Sequence, residues 1–238
     1  MTTEALFRDD AYLKETEATV IAVGDAGIEL DRTVFYARGG GQPGDTGVLV
    51  RADGSELAII DTRKGESLEA IVHVPAADAA LPAIGERVTV RLDWARRYAH
   101  MRIHTCLHVL SCVVTAPVTG GNIAADKGRL DFDIDMRLLD ADRITAGVNA
   151  LIERAVDTET VWITDAELDA QPELVKTMSV QPPRGAGRVR LLRIEGIDLQ
   201  PCGGTHVRNI GEIGRVKVLR IRSEGKRNKR VEIGFDDA

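Results

Sequence analysis

The stretch Val88-Thr89-Val90-Arg91-Leu92-Asp93-Trp94-Ala95-Arg96-Arg97 changes its hydrophobic period halfway along. Val88, Val90 and Leu92 alternate with polar residues, the period of two that a half-buried strand requires. Asp93 suits an N-cap. From Trp94 to Val114 apolar residues return at helical spacing, and Pro117 ends the run. A division near residue 92 follows, with residues 1–92 and 93–238 as separate domains.

Upstream of that division, short runs rich in β-branched and aromatic residues alternate with Gly and Asp turn signals. They cover residues 19–23, 33–36, 48–50 and 57–60, and residues 88–92 close the series. This spacing predicts a small β-barrel or sandwich. Between the second and third runs lies Arg38-Gly39-Gly40-Gly41-Gln42-Pro43-Gly44-Asp45-Thr46-Gly47, whose glycines exclude a packed strand interior. Downstream, strands are predicted at residues 129–134, 161–164, 188–194, 215–221 and 230–235, with a helix over 141–156. The predicted fold class is α+β: a small N-terminal β-barrel domain carrying the Gly-rich loop, then an α+β domain with a mainly antiparallel sheet.

No apolar run approaches the roughly 20 residues that cross a bilayer, and the N-terminus MTTEALFRDD lacks the features of a secretion signal. Three cysteines, Cys106, Cys112 and Cys202, favour free thiols or a metal ligand over disulfides. These features predict a cytoplasmic protein with no membrane partner. The net charge is −6, yet residues 184–230 hold 13 Lys+Arg against 4 Asp+Glu, a local +9, leaving −15 on the rest. Such asymmetry suits a phosphate-facing surface, and equally a basic sheet edge that resists aggregation.

His104-Thr105-Cys106-Leu107-His108 places two imidazoles four residues apart on one helical face, where a shared metal ion can reach both. Such pairs also occur on surfaces without metal. The second half is Cys202-Gly203-Gly204-Thr205-His206, whose glycines fold the chain tightly and leave room for a substrate to approach. Together His104, His108, Cys202 and His206 offer three imidazoles and a thiolate, a set suited to tetrahedral zinc. Cys112, one turn beyond His108, is an alternative thiolate, although a core role suits it better. Cys106 faces away from His104 and reads as a small core residue. His100, one turn before His104, reads as a structural, metal-supporting or RNA-facing residue.

The position after His104 is Thr105 rather than the glutamate of a His-Glu-x-x-His protease. Pro201-Cys202 does not continue into the Pro-Cys-x-x-Cys of a nucleobase deaminase. Without a neighbouring carboxylate base, an already reactive ester is the fitting substrate, since positioning and polarising its carbonyl suffice. Four protein ligands are equally compatible with a closed structural site.

The Gly39–Gly47, His104–His108 and Cys202–His206 motifs occur in the order found in alanyl-tRNA editing proteins, often called AlaX. These are free-standing relatives of the alanyl-tRNA synthetase editing domain. Val118–Asn122, Arg129–Asp133 and Arg220–Gly225 also resemble that family, and the likeness extends from about residue 6 to the end. The chain resembles the medium-length form. The resemblance implies hydrolysis of tRNA(Ala) mischarged with serine or glycine, with one zinc ion held by His104, His108, Cys202 and His206. It assigns Thr105 to the seryl hydroxyl and Gln42 to the reactive end, both as catalytic candidates. Cys106 stands where the family usually has alanine. Gly40, Gly41, Asp45 and Gly203 join Gln42 and Thr105 as substrate-binding candidates. Arg220, Arg222, Lys226, Arg227, Lys229 and Arg230 are candidates for the acceptor-stem backbone. A silent tRNA-binding module with structural zinc, and a zinc hydrolase for another aminoacyl-tRNA, are the alternatives.

Overall fold

The computed structural model describes residues 2–67, 69–176 and 187–236. Arg184, which opens the basic stretch, lies outside the described residues. Two compact units form, Met1–Gly39 with Pro43–Tyr98, and Gly40–Gln42 with Ala99–Ala238.

The first unit is a closed antiparallel barrel. Its strands are β1 (Glu15–Gly24), β2 (Gly27–Leu30), β3 (Gly47–Val50), β4 (Glu56–Lys64), β5 (Ile71–Pro75) and β6 (Arg87–Leu92), ordered β1-β2-β5-β4-β3-β6 around the wall. Closure removes the free edges that short strands would otherwise expose. The inward residues Val20, Ile28, Leu30, Leu49, Ile59 and Val90 are almost completely buried. Each contributes about 1.5–3 kcal/mol by leaving water. The strand predicted at residues 33–36 is a correction. Only Arg32–Thr33 pairs, with Glu4–Ala5, while Val34 and Phe35 are core residues outside any ladder. Their apolar run reads as strand because burial and pleating leave the same signature over so few residues.

Asp93 caps helix α1 (Trp94–Val113), its carboxylate accepting the Arg96 amide at 3.1 Å. In the second unit, β7 (Val118–Ile123), β8 (Lys127–Asp133), β12 (Val216–Ser223) and β13 (Asn228–Phe235) form an antiparallel sheet ordered β12-β13-β8-β7. Gly128 on β8 lets α1 lie close, since a Cβ there would stand 2.6 Å from Ile103. Helix α2 (Ala141–Ile152) covers the β12 edge, Asn149 bonding both the amide and carbonyl of Val216. A second sheet, β9-β10-β11, comprises Thr158–Thr164, Arg188–Ile194 and Asp198–Pro201. One face packs Val161, Ile163, Val189 and Leu191 onto Leu168 and Leu174. Among the described residues no helix is long and apolar enough to cross a membrane.

Candidate functional site

Helix α1 presents His104 and His108 one turn apart, and the loop after β11 brings Cys202 and His206 to meet them. The four potential ligand atoms all lie within 4.8 Å of one another. Cys202 Sγ is 3.5 Å from His104 Nε2 and 3.2 Å from His206 Nε2. A tetrahedron built on zinc–nitrogen and zinc–sulfur bonds has edges of about 3.5 Å. The donor set therefore fits a tetrahedral metal ion. Cys112 points elsewhere, with Sγ 3.6 Å from Ile197 O, so Cys202 is the thiolate of the cluster.

Each imidazole is held from behind through Nδ1. His104 Nδ1 donates to Gln42 Oε1 at 2.9 Å, and the same oxygen accepts the Thr205 amide at 3.1 Å. Gln42 Nε2 donates to Thr205 Oγ1 at 2.8 Å, which fixes its orientation. The Thr105 hydroxyl donates to Met101 O at 2.9 Å and accepts from His206 Nδ1 at 3.2 Å and the Val207 amide at 3.3 Å. His108 Nδ1 donates to Asp198 Oδ2 at 3.1 Å. With the proton on Nδ1, all three rings turn Nε2 inward, the tautomer that a shared metal requires.

The electrostatics agree. Burial pushes the Cys202 thiol up, and the imidazoles of His104, His206 and His108 more than reverse this, holding it well below the usual thiol range. His108 is lowered by burial, but Cys202 and Asp198 on either side raise it to about 9. His206 falls to about 3, mainly because it is buried. A site that stabilises a thiolate and favours positive charge at His108 is one that favours a bound cation. Cys106 sits in the core, its thiol pushed by burial to about 12, and His100 is also buried.

Several sequence candidates occupy definite structural roles. Gln42 and Thr105 are buried behind the ligands rather than exposed to solvent. Gly41 lies against β7, where a Cβ would meet Gly121 O at 2.9 Å, and its carbonyl accepts the Ile123 amide at 3.0 Å. Gly40 faces open space at φ +56°, and Gly203 likewise has nothing near a virtual Cβ. Asp45 is not at the cluster. It is buried in the barrel unit, where it accepts the Tyr36 amide at 2.6 Å and pairs with Arg97.

Of the basic candidates, Arg220 and Lys226 are exposed on the β12–β13 hairpin. Arg222 pairs with Glu224 and Arg227 with Asp133. Arg230 is held by Asp131 at 2.7 and 2.9 Å, and Lys229 is buried, its ammonium closing the hairpin turn onto Gly225 O and Lys226 O. Sequence reasoning missed Asp198 and Arg190. Asp198 is a buried carboxylate bound by Lys176 Nζ at 2.6 Å and Gln200 Nε2 at 2.5 Å as well as by His108. Arg190 clamps the ligand loop, donating to Cys202 O at 3.0 Å and Gly204 O at 2.8 Å. Neither belongs to a motif, and only the strand register brings them to the site.

The family described as "Threonyl and Alanyl tRNA synthetase second additional domain" matches residues 189–232, and "tRNA synthetases class II (A)" matches residues 3–96. The first match contains two of the four cluster residues. The matches relate the two parts of the chain to domains of aminoacyl-tRNA synthetases, and homologues named as alanyl-tRNA editing proteins make it an aminoacyl-tRNA deacylase. Alanyl-tRNA editing protein AlaX-M of Methanosarcina barkeri is 36% identical over 239 residues, covering 96% of this chain and 97% of its own. The AlaX-M protein of Saccharolobus solfataricus is 33% identical over 233 residues, with coverage of 96% and 97%. The chain belongs to the alanyl-tRNA editing proteins of the AlaX-M kind. An alanine–tRNA ligase of Pyrococcus abyssi is also 36% identical over 228 residues, which are 92% of this chain and 24% of the ligase.

Proposed function

We propose that the protein hydrolyses the ester of tRNA(Ala) wrongly charged with serine, and of tRNA(Ala) charged with glycine, with one zinc ion at His104, His108, Cys202 and His206. The observation that carries this reading is the four-residue cluster, with each imidazole tied back through Nδ1, in a chain of the AlaX-M family. When bound, zinc supplies Lewis acidity toward the ester carbonyl and anchors the reacting end. A reaction on charged tRNA supports the cytoplasmic location expected from the sequence.

Gly203, with nothing within 4 Å of a virtual Cβ, gives a substrate room to approach beside Cys202. Gln42 and Thr105 serve the reaction through His104 and His206, whose ring orientation they fix. For Thr105 to touch a seryl hydroxyl directly, its side chain would have to leave Met101, Val207 and His206. Asp198 is engaged on both oxygens, so it is not free to act as a base. Catalysis then rests on orientation of an activated ester rather than on a carboxylate general base. Arg220, Arg222, Lys226 and Arg227 line the hairpin that meets acceptor-stem phosphates, while Lys229 and Arg230 keep that hairpin in shape.

Zinc-loaded protein incubated with seryl-tRNA(Ala) is expected to release serine, glycyl-tRNA(Ala) to release glycine, and His104→Ala to abolish both. The complete four-ligand set favours one other reading, a tRNA-binding module with structural zinc. Salt-dependent tRNA binding with the ester left intact would establish it in place of the hydrolase.

A further inference from the structure

Strand register places an exposed tryptophan on the same sheet face as the metal cluster. Trp162 on β9 is directly opposite Arg190 on β10, and the Cys202 amide bonds the Arg190 carbonyl on the next strand position. Cross-strand neighbours point to one face. That face carries Asp198 and Gln200, which reach α1 at His108 and Ser111, and it carries Arg190, whose guanidinium also holds Thr160 Oγ1 at 2.9 Å. The opposite face is the apolar one closed by Leu168 and Leu174. Trp162 therefore stands two strand spacings, about 10 Å, from the ligand loop.

A single exposed tryptophan is ordinary, but this one is not bare. It is 39% exposed on an edge strand, and the Arg188 guanidinium lies over its ring at 5.4 Å. An indole face beside a guanidinium plane is the combination on which nucleobases stack without sequence preference, with the cation answering the backbone phosphate. The ester to be cleaved sits on the terminal ribose. When that ribose is at the cluster, its own base and the preceding one must lie within a nucleotide's length of it.

We propose that Trp162 and Arg188 form the platform on which the single-stranded 3′ end of the tRNA stacks while its terminal ribose enters the cluster. The proposal rests on the reading of the protein as a tRNA deacylase. It assigns to β9 and β10 a share of RNA recognition separate from the β12–β13 hairpin. Stacking holds the end of the strand whatever the bases, and the hairpin would add phosphate contacts further along.

The chain has two tryptophans, so Trp94→Phe leaves Trp162 as the only indole. Its fluorescence is followed while uncharged tRNA(Ala) is added, either intact or trimmed of its terminal adenosine. Intact tRNA is expected to quench the signal, and the trimmed form to bind roughly 5- to 150-fold more weakly, the factor that one base stack confers. Trp162→Ala is expected to raise KM for seryl-tRNA(Ala) in the same range with kcat and zinc content unchanged, and Trp162→Phe to restore most of the loss. Equal quenching by both tRNAs, or by neither, overturns the platform. If serine is not released but intact and trimmed tRNA still differ, the platform stands and the hydrolase reading falls. If serine is released and the two tRNAs behave alike, the platform alone falls.

Discussion

The guanidinium of Arg97 is completely buried against the carboxylate of Asp45, 52 residues earlier in the chain. Arg97 also donates to Val34 O at 2.7 Å and Ala11 O at 3.0 Å, while Asp45 accepts the Tyr36 amide. The pair ties the Gly-rich loop to the first turn of α1 within the barrel unit. Removing one partner strands a buried charge, so Asp45→Ala is expected to cost about 3–5 kcal/mol of unfolding free energy. Denaturation followed by Trp94 fluorescence measures it, with zinc content unaltered. A loss well under 1 kcal/mol would mean that water reaches Arg97 and the pair is not truly buried.

The two adjacent glycines of the ligand loop are not equivalent. A Cβ on Gly204 would stand 2.2 Å from His104 Cε1 and 2.8 Å from Gln42 Oε1, whereas one on Gly203 meets nothing within 4 Å. Gly204→Ala must therefore push His104 away from the cluster. It is expected to purify with much less than one zinc per chain, and Gly203→Ala with a full complement. Full zinc occupancy in Gly204→Ala would show that the loop can withdraw without cost to the site.

Thr105 has no hydroxyl capacity left over in this arrangement, since it donates once and accepts twice. Thr105→Val keeps the shape and removes the support behind His206. Zinc affinity is expected to fall on the order of 10-fold, as for other groups that orient a ligand from behind. The ratio of serine release to alanine release is expected to hold. Erosion of that ratio at full zinc loading would return Thr105 to direct contact with the seryl hydroxyl.

How far this site was legible follows from where its residues lie in the sequence. His104 and His108 sit four apart on a continuous helix, so their shared face is fixed by helical pitch alone. Gly203 and Gly204 announce a tight loop. Asp198 and Arg190 carry no such signal, because their relation to the cluster exists only once β10 and β11 are in register. The barrel was legible from its spacing, but β2 and β5 were not, for Gly27–Leu30 is short and Ile71–Pro75 ends in proline. Lys229 and Arg230 show the opposite case. Charge alone marks them as phosphate ligands, while the fold turns them onto Gly225, Lys226 and Asp131.

Asp198 stands behind His108 with its own charge compensated by Lys176 and a further hydrogen bond from Gln200. A carboxylate in this position raises the basicity of the ligand ring and fixes its tautomer. Asp198→Asn retains an acceptor and loses the charge, and zinc affinity is expected to drop about 10- to 100-fold in competition with a chromophoric chelator. Cobalt substitution supplies a second readout, since the visible bands of the ion follow the geometry of its ligands. An unchanged affinity with unchanged bands would show that the hydrogen bond suffices and the charge is irrelevant.

Within the barrel unit, His73 is fully buried, with Nε2 2.8 Å from Thr33 Oγ1 and Nδ1 3.1 Å from Ile28 O. Burial pushes it down from 6.5 to about 4. Between these values the unfolded chain takes up a proton that the folded barrel refuses. The contribution of neutral His73 is therefore complete above pH 6.5 and is lost as pH falls through 6.5 toward 4. At pH 5 the loss amounts to roughly 2 kcal/mol. His73→Gln has no such proton to gain, so the stability gap between wild type and variant is expected to change by about that amount between pH 7 and pH 5. Parallel urea midpoints across that range would mean that His73 titrates with its ordinary pKa, and that the acid sensitivity of the barrel resides in its carboxylates instead.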